Sequence, residues 1–249
     1  MHGMSQSQYF RSLLIIVACL LSGHALAAAE DKGELIFKDD FERNESQEKT
    51  EEIGNGWATN SKNRAAGNKQ VDLKDGTMRI YIHEVADHGV SVRQPVEFTD
   101  GTVEMKFMLE DPKDSLGLNF ADLKCKTVHA GHLCMARIYT HSVQLSDLKT
   151  GDMDLTIRKA KQADELTAEQ KQMLKTKKKK VPHKIEAGKW HTLSVDISGQ
   201  TLSVTIDGKK VGSFSSEGIA HPTKRMLRLS VPRQAVVDEI RIYARNAKP

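Results

Sequence analysis

The sequence predicts an all-β protein of two antiparallel sheets packed face to face, with one inserted helix. Apolar and polar side chains alternate with a period of two, which places successive side chains on opposite faces of a strand. The alternation recurs in residues 78–83, 103–109, 116–121, 202–206 and 240–242. Turn-forming pairs separate such segments at Asp75-Gly76, Asp100-Gly101, Ser198-Gly199 and Asp207-Gly208. Many short strands with one apolar face each favour a two-layer sandwich.

The segment at about residues 160–180 breaks this period and predicts the inserted helix. Thr167 is a suitable N-cap, with Glu169 or Gln170 just inside the first turn. The segment ends in five lysines and one threonine at residues 175–180. It is either a solvated insertion or an electrostatic clamp for an acidic partner, such as a sulfated or uronic polysaccharide.

The first 27 residues have the features of a cleavable signal peptide. An apolar run at residues 13–21 is too short to span a bilayer, and Ala25 and Ala27 fit the small-residue cleavage pattern. Cys19 lies in a sequence similar to a lipoprotein box, but the apolar run continues past it, which favours cleavage after Ala27 over lipid anchoring. We therefore expect an exported protein, periplasmic or extracellular, with a single domain over residues 28–249 and no membrane span.

The charge balance argues against a nucleic-acid partner. The chain has 37 Lys and Arg against 33 Asp and Glu, and the predicted signal peptide contributes one of the positive charges, Arg11. Such a mild excess lacks the clustered basic character of nucleic-acid-binding domains.

Two cysteines remain after the predicted cleavage. In an oxidising compartment, Cys125 and Cys134 would form one disulfide closing a short loop. The alternative is a zinc site, because His129 and His132 place four possible ligands within ten residues. Their spacing differs from that of the usual zinc fingers, and export disfavours reduced thiols.

Two stretches carry a resemblance to a known superfamily. Gly188, Trp190, His191, Leu193 and Val195 begin a strand–turn–strand segment that ends in an Asp-Gly pair. Near the two ends of the predicted domain lie FKDDF at residues 37–41 and VDEIRIY at residues 237–243. These features resemble the concanavalin A-like lectin/glucanase superfamily, including laminin G-like modules and bacterial 3-keto-disaccharide hydrolase-type domains. The resemblance implies a jelly roll with a concave front sheet, and it implies that Trp190 packs in the core.

Hydrolysis on this fold would need a pair of carboxylates. A retaining glycosidase holds two carboxyl groups about 5 Å apart, and the resemblance implies that both lie on one strand face. That spacing is absent, since the next residue on the same face as Glu104 is Lys106. Glu104 remains the candidate catalytic group, with histidines as further acid/base candidates, for a glycoside or 3-keto-glycoside hydrolase.

Sugar-binding side chains are better represented. Arg, Tyr and His recur at alternate positions on two predicted strands, and they would form one basic and aromatic patch if those strands were neighbours. The candidates for carbohydrate contact are Arg79, Tyr81, His83, Arg93, Asn119, Arg137, Tyr139 and His141. The alternative is a solvated sheet face whose long side chains cover the strands.

Calcium is the one cofactor that the sequence suggests. Asp39, Asp40 and Asp238 lie in the two terminal strands, which pair in the implied fold, and calcium prefers clustered carboxylate oxygens. The alternative is that these acids are simply solvated at the strand ends.

The sequence thus leaves three functions open. The first is an exported carbohydrate-binding domain that recognises an oligo- or polysaccharide, neutral or acidic, on its concave face. The second is the hydrolase, and the third is a non-enzymatic adhesion or scaffold module, which would present an exposed apolar patch.

Overall fold

The computed structural model describes residues 31–245 and confirms the predicted fold class, an antiparallel two-sheet jelly-roll sandwich. The eight-stranded sheet contains β1 (Glu34–Asp39), β2 (Val71–Lys74), β3 (Thr77–Tyr81), β5 (Asp100–Met108), β10 (His191–Ser198), β11 (Thr201–Ile206), β12 (Lys209–Ser215) and β14 (Gln234–Arg245). The six-stranded sheet contains β4 (Val90–Phe98), β6 (Ser115–Ala121), β7 (His132–Tyr139), β8 (Ser142–Asp147), β9 (Lys178–Pro182) and β13 (Lys224–Val231). The α-helices are α1 (Ser61–Arg64), α2 (Leu155–Gln162) and α3 (Ala168–Thr176).

The strand orders are β12-β11-β10-β5-β14-β3-β2 in the larger sheet and β4-β13-β6-β7-β8-β9 in the smaller. The 12-residue strand β14 organises the larger sheet. Its first half pairs with β3, its second half pairs with β1, and β5 runs along its other edge. The first and last strands of the described chain are therefore neighbours, as the resemblance implies.

The alternating apolar residues of both sheets meet in one core. Leu116, Leu118 and Phe120 of β6, for example, are completely buried in it. Trp57 also belongs to this core. Trp190 is 44% exposed, so the expectation that it packs inside is wrong. It ends the turn before β10 and precedes the first residue paired with β5, so the alternation does not direct it inward.

Two of the predicted turns are two-residue hairpin loops. The Asp-Gly pairs at 75–76 and 207–208 join β2 to β3 and β11 to β12, with φ values from 50° to 71°. Left-handed φ at both positions matches the twist of the flanking strands. Gly101 instead lies inside β5, where an added Cβ would lie 2.2 Å from the carbonyl oxygen of Tyr243. Close approach of β14, rather than a turn, requires that glycine.

The predicted insertion is present with different boundaries, because it consists of two helices and a strand. Asp154 caps α2, and Thr167 caps α3 in a capping box with Gln170. The lysine-rich end, predicted as helix within residues 160–180, is instead strand β9. Pairing with the free edge of β8 satisfies the backbone groups of Lys178–Pro182, which outweighs their helix propensity.

The predicted signal peptide and Cys19 lie outside the described residues, so export, lipidation and the start of the domain at residue 28 remain predictions. Among residues 31–245, no helix combines the length and the apolar character needed to cross a bilayer.

Candidate functional site

A cleft of about 480 Å³ lies on the outer face of the six-stranded sheet. Its floor is formed by the neighbouring strands β4, β13, β6 and β7. One wall includes Asn60 and Arg64, near the short helix α1, and His88 and Gly89 before β4. The lining also includes His129 and Ala130 between β6 and β7, together with Leu148 and Met153 between β8 and α2. The strands thus provide a rigid floor and the loops provide the rim.

The period of two decides which side chains reach this floor. Leu227 and Leu229 of β13 are buried in the core, so Arg228 between them points to the outer face. Backbone pairing places Arg228 directly beside Asn119 of β6 and Arg93 of β4. Three polar side chains from three strands therefore lie in one row across the cleft.

Arg137 of β7 crosses its neighbour β6 to reach β13. Its Nη2 donates to the hydroxyl of Ser230 at 2.9 Å, and its Nη1 lies 3.3 Å from the carbonyl oxygen of the same residue. The path runs over Gly117, where an added Cβ would lie 3.1 Å from the guanidinium carbon. Burial lowers the pKa of Arg137, since the charged form loses hydration there.

Arg228 is held by a second network. Its Nη2 donates to the carbonyl oxygen of Ala130 at 2.7 Å, and its Nη1 lies 3.3 Å from the ring nitrogens of His132. His132 Nδ1 lies 2.8 Å from Asn119 Oδ1, so we assign the proton to Nδ1, which leaves Nε2 to accept from Arg228. Burial, with Arg228 as the next cause, lowers the pKa of His132 to about 3 and keeps the ring neutral. Burial also lowers the pKa of Arg228 to about 10.

Arg93 completes the cationic floor. Its Nη2 donates to the carbonyl oxygen of Thr59 at 2.6 Å, and backbone bonds join Arg93 to Ala58. Its Nε is buried and has no acceptor among the described residues. The segment before α1 thereby fixes Arg93 at the edge of the sheet.

None of the residues that line this cleft is Asp or Glu. Arg64, at the rim, is paired with the exposed Asp87 at 3.1 Å, whereas Arg93, Arg137 and Arg228 form no salt bridge within residues 31–245. The cleft is therefore strongly electropositive, and its floor offers guanidinium, amide and hydroxyl groups for hydrogen bonding.

The structure brings together some of the predicted carbohydrate-binding residues. Arg93, Asn119 and Arg137 line the cleft. Tyr139 and His141 lie farther along β7 and in the turn after it, with ring centroids 5.7 Å apart. Whether these residues contact a sugar stays a prediction.

The other stripe does not join this site. Arg79 and Tyr81 belong to β3 in the eight-stranded sheet, and His83 follows that strand. Arg79 is ion-paired with Glu110 at 2.7 Å. The two stripes therefore lie on different sheets and do not form one patch, because the strand order separates β3 from β7.

The sequence did not place Arg228, Ser230 or Gly117 at a binding site, and it suggested His132 only as a possible zinc ligand. An arginine and a serine alternate with apolar residues along residues 227–231, and this pattern alone indicates outward-facing polar groups on a strand. No local sequence pattern indicates the role of Gly117, because Gly117 leaves room for an arginine side chain that comes from the neighbouring strand.

Glu104 lies in a smaller cleft of about 270 Å³ on the eight-stranded sheet, together with Glu239. Glu104 forms an ion pair with Lys32 at 2.7 Å. Glu239 pairs with Lys106 and Arg241, and the hydrogen bond from Lys106 is the main cause that lowers its pKa. A general acid needs a raised pKa, so these pairings disfavour Glu239 as the proton donor of a glycosidase.

The calcium candidates have other partners. Arg43 forms two hydrogen bonds to the Asp39 carboxylate, at 2.7 and 2.9 Å, and Trp57 Nε1 donates to it at 2.8 Å. In the part of the chain that the structure describes, no group of three or more His, Cys, Asp or Glu side chains is arranged to hold a metal ion. Calcium binding by Asp39, Asp40 and Asp238 remains an untested prediction.

The predicted disulfide is absent, and both cysteines are free thiols. Cys134 points into the core from β7, and burial raises the pKa of its thiol to about 12. Cys125 lies in the loop after β6, with its Sγ 3.4 Å from the hydroxyl of Thr127. The two side chains occupy different environments, which the ten-residue spacing could not reveal. The inward orientation of Cys134 likewise separates it from His129 and His132, the other members of the alternative zinc set.

No family model matches the sequence, and no curated protein matches it. Solved structures do match its fold. The carbohydrate-binding module CBM66 from Bacillus subtilis is 12% identical with a TM-score of 0.50, over 76% of this chain and 96% of that one. The β-glucanase of Bacillus licheniformis is 12% identical with a TM-score of 0.56, over 86% and 99%. The laminarinase from Rhodothermus marinus is 11% identical with a TM-score of 0.56, over 85% and 97%. The chain therefore has the concanavalin A-like jelly-roll fold, as the sequence resemblance implied.

Proposed function

We propose that this protein is an exported carbohydrate-binding domain that holds an oligo- or polysaccharide in the cleft of the six-stranded sheet, which we take as its concave face. One observation carries the proposal: an open cleft of about 480 Å³ whose floor consists of polar side chains fixed by rigid strands. Saccharides present many hydroxyl groups, and planar guanidinium and amide groups can bind them through several hydrogen bonds at once.

The fold supports this class of ligand by analogy. The similar structures include a carbohydrate-binding module and enzymes named for glucans or laminarin. At 11–12% identity they share the fold with this chain, and their own ligands are not carried over to it. Export is supported by the features of residues 1–27.

The cleft favours binding over hydrolysis. Glycosidases of the common kind need two carboxyl groups beside the scissile bond, and no carboxylate lines this cleft. The smaller cleft contains Glu104 and Glu239, but both are ion-paired. The adhesion alternative predicts an apolar contact surface, whereas the floor of the cleft is cationic and polar.

The test is binding of the purified full-length chain to an array of neutral and acidic oligosaccharides, followed by calorimetry. Ser91 lies on the outer face of β4 and lines the cleft, so Ser91→Trp should fill it and abolish binding. Ser203 faces outward from β11 on the other sheet, so Ser203→Trp is a matched control that should bind normally. Binding that survives Ser91→Trp, or a folded chain that binds no glycan, would contradict the proposal.

A further inference from the structure

We infer that the ligand of this cleft is an acidic saccharide, whose carboxylate or sulfate oxygens accept hydrogen bonds from Arg137 and Arg228. The inference rests on the proposed function, because it assigns the chemical class of the ligand at the same site. It is carried by the burial, the pairing and the geometry of three arginines that line the floor of the cleft.

The first observation is burial without a counter-charge. Arg228 is only 8% exposed, and Arg137 is also largely removed from water. Buried charges in proteins are ordinarily paired, since a charged group that loses its hydration is destabilised. Among residues 31–245, no carboxylate lines the cleft, so no ion pair from this part of the chain offsets the cost. A bound anion would supply the missing charge.

The second observation is that like charges face each other. Arg93 and Arg228 are direct cross-strand partners, a position where equal charges destabilise a sheet. After burial, the charge of Arg93 is the next cause that lowers the pKa of Arg228. An anion placed between or above the two guanidinium groups would convert this repulsion into attraction.

The third observation is that the guanidinium groups are oriented in advance. Each is held by neutral acceptors, namely Ser230 and Ser115 for Arg137, the Ala130 carbonyl and His132 for Arg228, and the Thr59 carbonyl for Arg93. A guanidinium has five N–H donors, so Arg93 and Arg228 keep terminal N–H groups for a ligand. The terminal nitrogens of Arg137 also lie 3.3 Å from Ser115 Oγ and 3.6 Å from Met135 Sδ, and an anionic oxygen would replace these longer contacts. Fixed forks suit the planar or tetrahedral oxygens of carboxylate and sulfate groups.

Beyond the cleft, the outer face carries the acidic Glu97 at the far end of β4, where it is paired with Arg225, but the rows of side chains that run through the cleft contain no acidic residue. Backbone pairing defines two rows across the sheet, Arg93–Arg228–Asn119–Met135–Ser146–Lys178 and Ser91–Ser230–Gly117–Arg137–Gln144–Lys180. Both rows end in exposed lysines on the edge strand β9, about 19 Å from β13 at the usual spacing of strands. This arrangement suits a ligand with acidic groups on several sugar units.

The decisive comparison keeps the sugar and changes only its charge. Calorimetry would measure binding of the full-length chain to an oligogalacturonate and its methyl ester, and to a sulfated galactan oligosaccharide and its desulfated form. We expect at least one acidic probe to bind about tenfold or more tightly than its own uncharged form, with an affinity that falls as salt rises. Binding to the uronate assigns a carboxylate, and binding to the sulfated probe alone assigns a sulfate.

Variants test which residues recognise the charge. Arg137→Met and Arg228→Met should each weaken binding of the acidic probe by about tenfold or more, and Arg137→Lys should also weaken it because lysine lacks the fork. Arg79→Met is the matched control, because Arg79 is ion-paired on the other sheet, and it should leave the affinity unchanged.

The outcomes separate this inference from the proposed function. Equal affinity for each acidic probe and its uncharged form, unaffected by Arg137→Met, would overturn the inference and leave carbohydrate binding intact. A folded chain that binds none of the probes nor any other arrayed glycan would overturn both.

Discussion

Gly117 of β6 lies beneath the guanidinium group of Arg137. The variant Gly117→Ala tests whether Arg137 can reach Ser230 of β13 only because Gly117 has no side chain. An alanine Cβ would lie 3.1 Å from the guanidinium carbon and 3.2 Å from Met135 Sδ. Ordinary carbon contacts lie at about 3.5–4.0 Å, so the arginine must move. Because both neighbours are ends of flexible side chains, we expect Arg137 to shift and the strand to stay in place.

The magnitudes follow from the bonds at risk. Arg137 would lose its contacts with the hydroxyl and carbonyl oxygens of Ser230, each worth about 1 kcal/mol net. Replacing glycine by alanine within a strand raises the free energy of unfolding by about 0.5–1 kcal/mol. The free energy of unfolding should therefore change by no more than about 1.5 kcal/mol. Affinity for the acidic saccharide should fall about tenfold, since a charge-assisted hydrogen bond to the ligand is lost.

Urea unfolding and calorimetry with the oligogalacturonate, or with the sulfated probe if that one binds, would measure the two effects. Gly212→Ala is the control, because Gly212 lies in β12 with a Val181 methyl 3.0 Å from the added Cβ, away from the cleft. It should alter stability only. In an Arg137→Met background, Gly117→Ala should add no further loss of affinity. Unchanged affinity in the Gly117→Ala single variant would refute the assigned role of this crossing.

Three further predictions concern buried groups. The pKa of His132 is about 3 in the folded protein and near 6.5 in the unfolded chain. The free energy of unfolding should therefore be highest above pH 6.5 as far as this residue is concerned, and it should fall by up to about 1.4 kcal/mol per pH unit towards pH 3. Between pH 6.5 and pH 5, the free energy of unfolding of His132→Gln, measured with urea, should change by about 1.6 kcal/mol less than that of the wild type, and equal changes in the two proteins would contradict this. Buried Asp147 accepts four hydrogen bonds, so Asp147→Ala should lower the free energy of unfolding by about 3 kcal/mol or more, with Asp147→Asn less affected. Iodoacetamide followed by peptide mass spectrometry should label Cys125 in the native chain and Cys134 only after unfolding, and a disulfide-linked peptide would disprove the free thiols.

The sequence was sufficient for the layers of the fold. Alternation is a local property of each strand, and it sorted Leu116, Leu118, Phe120 and their equivalents into the core without knowledge of the neighbouring strands. The hairpin turns at 75–76 and 207–208 followed in the same way, because left-handed φ is a property of the two turn residues themselves. The local sequence did not predict the structure of residues 178–182. This helix-forming segment forms a strand because it pairs with the otherwise unpaired edge of β8.

The candidate site was only partly foreseeable. Arg93, Asn119 and Arg137 could be identified as outward-facing polar residues on predicted strands, but their grouping depends on which strands are neighbours. Strand order is set by pairings between residues more than a hundred positions apart, such as Asn119 with Arg228, and no local pattern encodes it. The same order separated Arg79 from the cleft. The sequence by itself thus determined which side chains face the core on regularly alternating strands, and only the tertiary structure decided which charges share a face without a counter-ion.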